Sequence, residues 1–234
     1  MRTLAVIIAR SGSKRLKNKL FLKVNKNIAL DFFFNRLKKV KSLDEIIIAT
    51  SKKKTDDKIH KFAQDKKIKC FRGSEKNVLK RLMQSISMAE KKPNLIVRAN
   101  ADCLLMMPTI VDKDIKFMKN GNYDLLTPFD SNYCPFGYSF VIFKYNTLKK
   151  IYNNAVKPKY LEHIENFCFD NEKKFQIYRP KYQKKLFKPK LKLTLDIQKD
   201  YERIKFFIKQ IINIPISQQP IKLIEISNEI KNNK

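Results

Sequence analysis

Arg10, Arg15 and Lys19 crowd around the tripeptide Ser11-Gly12-Ser13, directly after the apolar run Leu4–Ala9. Cations on a short Gly/Ser turn at the end of a buried strand suit one task, the holding of a polyphosphate. Gly12 admits close backbone approach, the turn's N–H groups can face anionic oxygens, and the side chains bring the charge a triphosphate needs neutralised. The spacing is neither that of a Walker A loop nor that of a GxGxxG dinucleotide fingerprint. In so lysine-rich a chain the same residues also read as solvated charge. A second chemistry needs hard oxygen ligands. Asp102 follows the run Leu95–Ala99 and Asp196 follows Leu191–Leu195, so two strand ends could offer carboxylates to one Mg²⁺, with phosphate and water in its other positions. Each has a structural alternative: Asp102 can cap the next turn, and Asp196, with Asp200, can open the following helix as its N-cap. His163 is a conceivable general base, although a lone histidine on an amphipathic segment more often packs or hydrogen-bonds.

Positioning these groups requires a sheet. Leu4–Ala9, Glu45–Thr50 and Leu95–Ala99 are short continuous apolar runs, as strands covered on both faces require. Between and after them, Asp31–Val40, Asp56–Lys66 and Ser74–Glu90 carry apolar residues at helical spacing, the last with Ser74 as the predicted N-cap. The first half therefore reads β-α-β-α-β-α-β, a mainly parallel sheet with helices on both sides. Ligands bind at the carboxyl ends of such strands. The basic turn and Asn100-Ala101-Asp102 both fall on that edge. In the second half, strands are predicted at Tyr123–Thr127, Tyr138–Tyr145, Phe175–Tyr178 and Leu191–Leu195, and helices at Lys159–Phe169 and Asp200–Ile212. Pro135-Phe136-Gly137 marks a turn and Lys181–Lys190 a basic connection. Ile221–Ile230 is expected to pack at the edge, and the last three residues to fray. Without a repeat or a long linker, the 234 residues read as one domain.

Composition bounds the rest. A hydrophobic fraction of 43% excludes global disorder, and no apolar run is long enough for a membrane span or a secretory signal. Cys70, Cys103, Cys134 and Cys168 form no CxxC pair, which argues for a reducing cytoplasm and against structural zinc. A net charge of +29 is a footprint expected of nucleic-acid binding, yet 42 of the 51 cationic residues are lysine, spread along the chain among Ile and Asn. That pattern fits a solvated basic surface better than an arginine-rich nucleic-acid site.

Taken in order, the segments IIARSGSKRLKNKL, DEIIIATS, CFRGSEKNVLKRL, LIVRANADCLLMMP, YCPFGYSFVIF, YLEHIENF and LTLDIQKDYERI resemble the cytidylyltransferases that make CMP-activated sugars. These include the CMP-sialic acid and CMP-Kdo synthetases and, above all, their spore-coat polysaccharide relatives. The resemblance implies an α/β, three-layer Rossmann-like nucleotide-diphospho-sugar transferase fold with a mainly parallel central sheet. It further implies a nucleotide-binding half over 1–120, a sugar-binding half with the metal aspartate over 121–215 and a C-terminal extension over 216–234. The reaction it implies is transfer of CMP from CTP to a sugar or sugar acid with release of pyrophosphate, in surface polysaccharide or glycoconjugate biosynthesis. By position, Arg10, Lys19 and Asp102 would be catalytic, and Ser11, Gly12, Ser13, Arg15, Arg72, Gly73, Asn77 and Arg98 would bind nucleotide. Gly137, Glu162 and His163 would face the sugar, and Asp102 and Asp196 would hold Mg²⁺. The implied partners are CTP and a sugar or sugar acid; nucleic acid is disfavoured, a homodimer is allowed, and the expected location is cytoplasmic. Departures from the family pattern include Lys17 for a proline, Asn77 for an aspartate, and Asn100-Ala101 for Thr-Gly. Leu104 and Met107 replace a proline and an aspartate, and Gly137-Tyr138-Ser139-Phe140-Val141-Ile142 stands in place of an acidic G-L-D-V-E-V. Two other functions use the same residues: a nucleotide- or sugar-binding member without turnover, and a basic accessory protein that holds nucleic acid or a membrane surface by its field.

Overall fold

The computed structural model describes residues 1–128, 135–182, 184–186, 188 and 190–232. Cys134, part of the basic connection and the predicted frayed end at 233–234 lie outside the described residues. In chain order, the first half has β1 (Thr3–Ile8), a small hairpin of β2 (Lys23–Val24) and β3 (Asn27–Ile28), then α1 (Ala29–Leu37), β4 (Glu45–Ser51) and α2 (Asp57–Asp65). β5 (Lys69–Gly73), α3 (Val78–Ile86), β6 (Leu95–Asn100) and α4 (Pro108–Asn120) complete it. The second half has β7 (Leu125–Leu126), β8 (Val141–Lys144), α5 (Tyr145–Asn154), α6 (Pro158–Glu162), α7 (Asn166–Phe169), β9 (Ile177–Tyr178), α8 (Gln198–Ile211) and α9 (Gln219–Asn232).

One sheet unites the two halves, in the order β5-β4-β1-β6-β8-β7-β9. β5, β4, β1 and β6 are mutually parallel, and β8 runs antiparallel to both β6 and β7. Alternation along β1 sends Ala5 and Ile7 to one face and Leu4 and Val6 to the other, and both faces are covered. The larger core lies under α1, α2, α4, α8 and α9; the smaller lies under α3, α5 and the α6–α7 segment. This is the three-layer, mainly parallel α/β architecture that the sequence predicts.

Several predicted boundaries move. Helix α3 starts at Val78, because the Asn77 side chain accepts the Lys80 N–H (2.7 Å), while the Ser74 hydroxyl accepts only the Asn77 N–H ahead of it (3.0 Å). The predicted helix at 159–169 is two short ones. Among the described residues the predicted strand Leu191–Leu195 joins no ladder beyond one bridge between Lys192 and Phe136, made by the Leu193 N–H to the Phe136 carbonyl and the Phe136 N–H to the Leu191 carbonyl; the Leu195 N–H goes to the Asp102 carbonyl. α9, the predicted last element, packs on the core through one face. Leu223, Ile224 and Ile226 are buried, and its first residue, Gln219, accepts a hydrogen bond from the buried Arg36 guanidinium (2.8 Å).

Candidate active site

The carboxyl ends of β1 and β6 open into a cleft of about 620 Å³, with the basic turn on one side and Glu162 and His163 on the other. Leu16 and Leu20 are buried and pin the turn to the core. Within it, the Ser13 N–H donates to the Ser11 carbonyl (2.8 Å) and the Ser13 hydroxyl accepts from Leu16 N–H (3.3 Å). Ser11 is itself buried, its N–H given to the Asp56 carboxylate (2.6 Å). Asn18 takes the left-handed conformation (φ 53°, ψ 29°), which asparagine tolerates, and the tight 3-10 turn Lys19–Phe21 begins there. Lys19 is thereby aimed inward. An added Cβ at Gly12 would meet only Glu75, at an ordinary 3.5 Å, so the backbone here is open to the cleft.

Lys19 organises the charge. Its ammonium lies 2.7 Å from Asp102 Oδ2 and 3.2 Å from Asp196 Oδ1. The two carboxylates come from segments 94 positions apart in the sequence, joined at this edge by the hydrogen bond from Leu195 N–H to the Asp102 carbonyl (2.9 Å). Arg15 also reaches Asp196 Oδ1 (3.2 Å), and Lys192 (2.6 Å) and the Thr194 hydroxyl (3.1 Å) hold its Oδ2. Burial alone would raise the Asp196 carboxyl, but the Lys192 hydrogen bond and the charge and hydrogen bond of Lys19 hold it down at about 2. Asp196 does not cap α8. Asp200 Oδ2 accepts from the backbone N–H of Asp196 and Ile197 (both 3.1 Å), which leaves the Asp196 side chain to face the cleft. On the opposite wall, buried Arg98 pairs with buried Glu165 (2.7 Å) and donates to the Glu162 carbonyl (3.1 Å), while Arg10 reaches the Glu162 carboxylate at 3.3 Å.

A family profile described as cytidylyltransferase matches residues 4–223. The chain belongs to the cytidylyltransferase family. Members are enzymes of the nucleotidyltransferase type. An uncharacterised protein of Methanocaldococcus jannaschii is 32% identical over 234 residues, spanning 99% of this chain and 94% of its own. The spore coat polysaccharide biosynthesis protein SpsF of Bacillus subtilis is 29% identical over 209 residues, 86% of this chain and 84% of SpsF. A solved cytidylyltransferase structure from Leptospira borgpetersenii superposes with a TM-score of 0.89 at 27% identity, covering 99% of this chain and 96% of its own.

Not every residue expected at the site of this cytidylyltransferase lines the cleft. Arg10, Gly12, Ser13, Arg15, Lys19, Arg98, Asp102, Glu162, His163 and Asp196 do. Arg72 and Gly73 line an adjoining depression with Lys52, Lys53, Ser74 and Lys80, where Arg72 is bonded to Asp57 (2.6 Å) and to the Ser51 and Lys53 carbonyls. Ser11 and Asn77 line neither: Ser11 is buried with its N–H on Asp56, and the Asn77 side-chain oxygen is spent as the α3 cap. Gly137 is likewise outside, and its role is conformational: φ is 103°, and a Cβ would press on the Leu193 carbonyl group at 3.3–3.4 Å. Within the segment that replaces G-L-D-V-E-V, the two positions that lose acidic residues, Ser139 and Val141, are both buried, with Ser139 bonded to Asp114 (2.5 Å). Asn100, which the sequence places on this edge without a role, lines the cleft too; sequence reasoning missed Thr194 and Arg81, which also line it. Thr194 had a legible signal, since residues 194 and 196 share a face of an extended segment.

Proposed function

We propose that this cytidylyltransferase transfers CMP from CTP to a sugar or sugar acid, releasing pyrophosphate, as a step in making a surface polysaccharide or glycoconjugate. The observation that carries this reading is the convergence of Asp102 and Asp196 on the Lys19 ammonium beside the basic turn. Two carboxylates facing one cation position fit Mg²⁺, which commonly takes one or two carboxylates and completes its shell with phosphate and water. Among the described residues no group of three or more His, Cys, Asp or Glu is placed to hold a metal ion, so these two carboxylates would be the chain's own contribution. When bound, Mg²⁺ would supply charge neutralisation and polarisation at the phosphates.

The chain's own residues account for the rest. Arg10, Arg15 and Lys19 would grip the triphosphate, with Ser13 and the open backbone at Gly12 beneath it. A sugar hydroxyl held near Glu162 and His163 attacks the α-phosphorus in line; the bond to the β-phosphate oxygen breaks, and pyrophosphate leaves toward the cations. The hydroxyl proton passes to the open cleft, where exposed His163 stands as an acceptor. The free thiols of Cys70, Cys103 and Cys168 suit a reducing cytoplasm, and no helix among the described residues is long and apolar enough to cross a membrane.

Pyrophosphate release, measured with CTP, ATP, GTP and UTP against a panel of hexoses and sugar acids, tests the reading. CTP with Mg²⁺ should support turnover and the other nucleotides should not. Asp102→Asn and Asp196→Asn should each remove most activity, and the double change little more, because groups acting as a unit are strongly non-additive. Additive, modest effects would remove the shared metal site from the proposal.

A further inference from the structure

Arg81 lies on α3, where an arginine in an amphipathic pattern reads as surface charge. Instead its side chain is fully buried. One guanidinium nitrogen, Nη1, donates to the carbonyls of Ser74 and Glu75. The other two, Nε and Nη2, have no hydrogen-bond partner. They form the unpaired edge of the guanidinium fork, itself shielded from solvent, and the residue is among those lining the cleft with Arg10, Arg98, Glu75 and Val78. Gly73 is part of this arrangement, since a Cβ there would come within 3.1 Å of Arg81 Cγ.

The carboxylates near Arg81 make their hydrogen bonds and ion pairs elsewhere, although Asp56 and Glu75 attract its charge through space. Asp56 accepts from Ser11 and Ser51, Glu75 pairs with Lys53, Arg10 with Glu162, and Arg98 with Glu165. Among the described residues no carboxylate pairs with Arg81. Burial, followed by the repulsion of Arg10, lowers its guanidinium to about 10, which leaves it charged at neutral pH. A buried cation with two unused donors is costly in a folded chain unless an anion completes it. Resting on the reading of this cleft as the substrate site, we propose that Arg81 recognises a substrate oxyanion through its Nε and Nη2 edge. Two groups share that chemistry, a phosphate of the nucleotide and the carboxylate of an acidic acceptor. Either would be held bidentately, a geometry that lysine cannot reproduce.

The test uses the full chain and two variants, Arg81→Lys and Arg81→Gln, each checked for folding by its own melting curve. Calorimetric titration with CTP, cytidine, inorganic pyrophosphate, N-acetylneuraminate and glucuronate supplies the arms. Weakening of CTP or pyrophosphate by about ten- to a hundredfold in both variants, with the lysine variant no better than partly rescued, assigns the phosphate. Unchanged CTP with a matching loss for a sugar acid assigns the acceptor carboxylate. If Arg81→Gln does not fold, Arg81→Lys carries the same comparison, since it keeps the stem and the charge. Pyrophosphate needs no base recognition, so wild-type protein that binds it but not CTP would fail the cytidylyltransferase reading while still testing Arg81. Wild-type and variant chains that bind every probe equally well would overturn the proposal and leave Arg81 as a tie for the carbonyls of Ser74 and Glu75.

Discussion

Lys19 stands between Asp102 and Asp196, so under the proposed reading the ammonium and a metal would compete for the same two carboxylates. Without nucleotide the lysine neutralises the pair; with a triphosphate present it has a second anion to turn to. Lys19→Met should therefore tighten Mn²⁺ binding to the nucleotide-free protein, because two carboxylates without a cation attract one more strongly, while turnover and CTP affinity fall. Titration of Mn²⁺ followed by its magnetic resonance signal, with turnover measured in parallel, reads both effects, and unchanged metal affinity would mean that the carboxylates do not face a common position. Much of this site was legible in the sequence, because the basic turn and both aspartates directly follow apolar runs. Asn77 and Arg81 were not, for opposite reasons. An asparagine ahead of a helix looks alike whether it caps the helix or meets a ligand, and an arginine at helical spacing looks solvated until tertiary packing buries it.

Strands β1, β4 and β6 were readable because fully buried parallel strands are continuous apolar runs. α4 and α5 escaped notice, the first because its apolar residues run on from Leu104-Leu105-Met106-Met107 and blur the period. α4 carries Asp114, a buried carboxyl that accepts from the hydroxyls of Ser139 (2.5 Å) and Tyr182 (2.7 Å) and so joins the helix to the approach to β8 and to the basic connection. Burial raises this carboxyl from 3.8 to about 7, against the two hydrogen bonds, which lower it. Between those values the folded chain keeps a proton that the unfolded chain has lost. Its stabilising effect is therefore complete below the unfolded value, declines as pH rises, and is gone above about 7. Asp114→Asn should flatten that decline and leave the variant more stable than wild type above neutrality, on the order of a few kcal/mol, as denaturant titrations across this pH range would show. Gly137→Ala addresses the neighbouring turn. Its strained φ and the crowding against Leu193 should cost about 1–3 kcal/mol. Because Leu193 leads to Asp196, turnover should fall along with the melting temperature; a loss of stability with full turnover would show that the segment 191–196 holds its place without the turn.

At the scale of the whole molecule the charge of +29 asks for a use beyond solubility. Many acidic side chains are already paired with cations, as in Lys53–Glu75, Lys66–Asp31 and Lys159–Asp170, which leaves a large excess of lysine to set the long-range field. The cleft is where that field would meet the proposed triphosphate substrate, and its cations, which outnumber the carboxylates Glu75, Asp102, Glu162 and Asp196, would help steer it; steering of this kind raises association rates by roughly ten- to a thousandfold at low ionic strength. If CTP is held as proposed, short contacts with Arg10, Arg15 and Lys19 would act within the Debye length, about 10 Å at 0.1 M salt, and be screened far less. The two stages should separate with salt. Raising ionic strength with a non-binding salt should depress kcat/KM for CTP steeply while kcat changes little, and stopped-flow measurements should place the loss in the association rate. Random oligonucleotides should bind weakly and be displaced by CTP, since they would share only the cleft's cations. If oligonucleotide binding is strongly salt-dependent and persists at saturating CTP, while kcat/KM for CTP is indifferent to salt, the excess lysine serves a second, nucleic-acid partner outside the cleft.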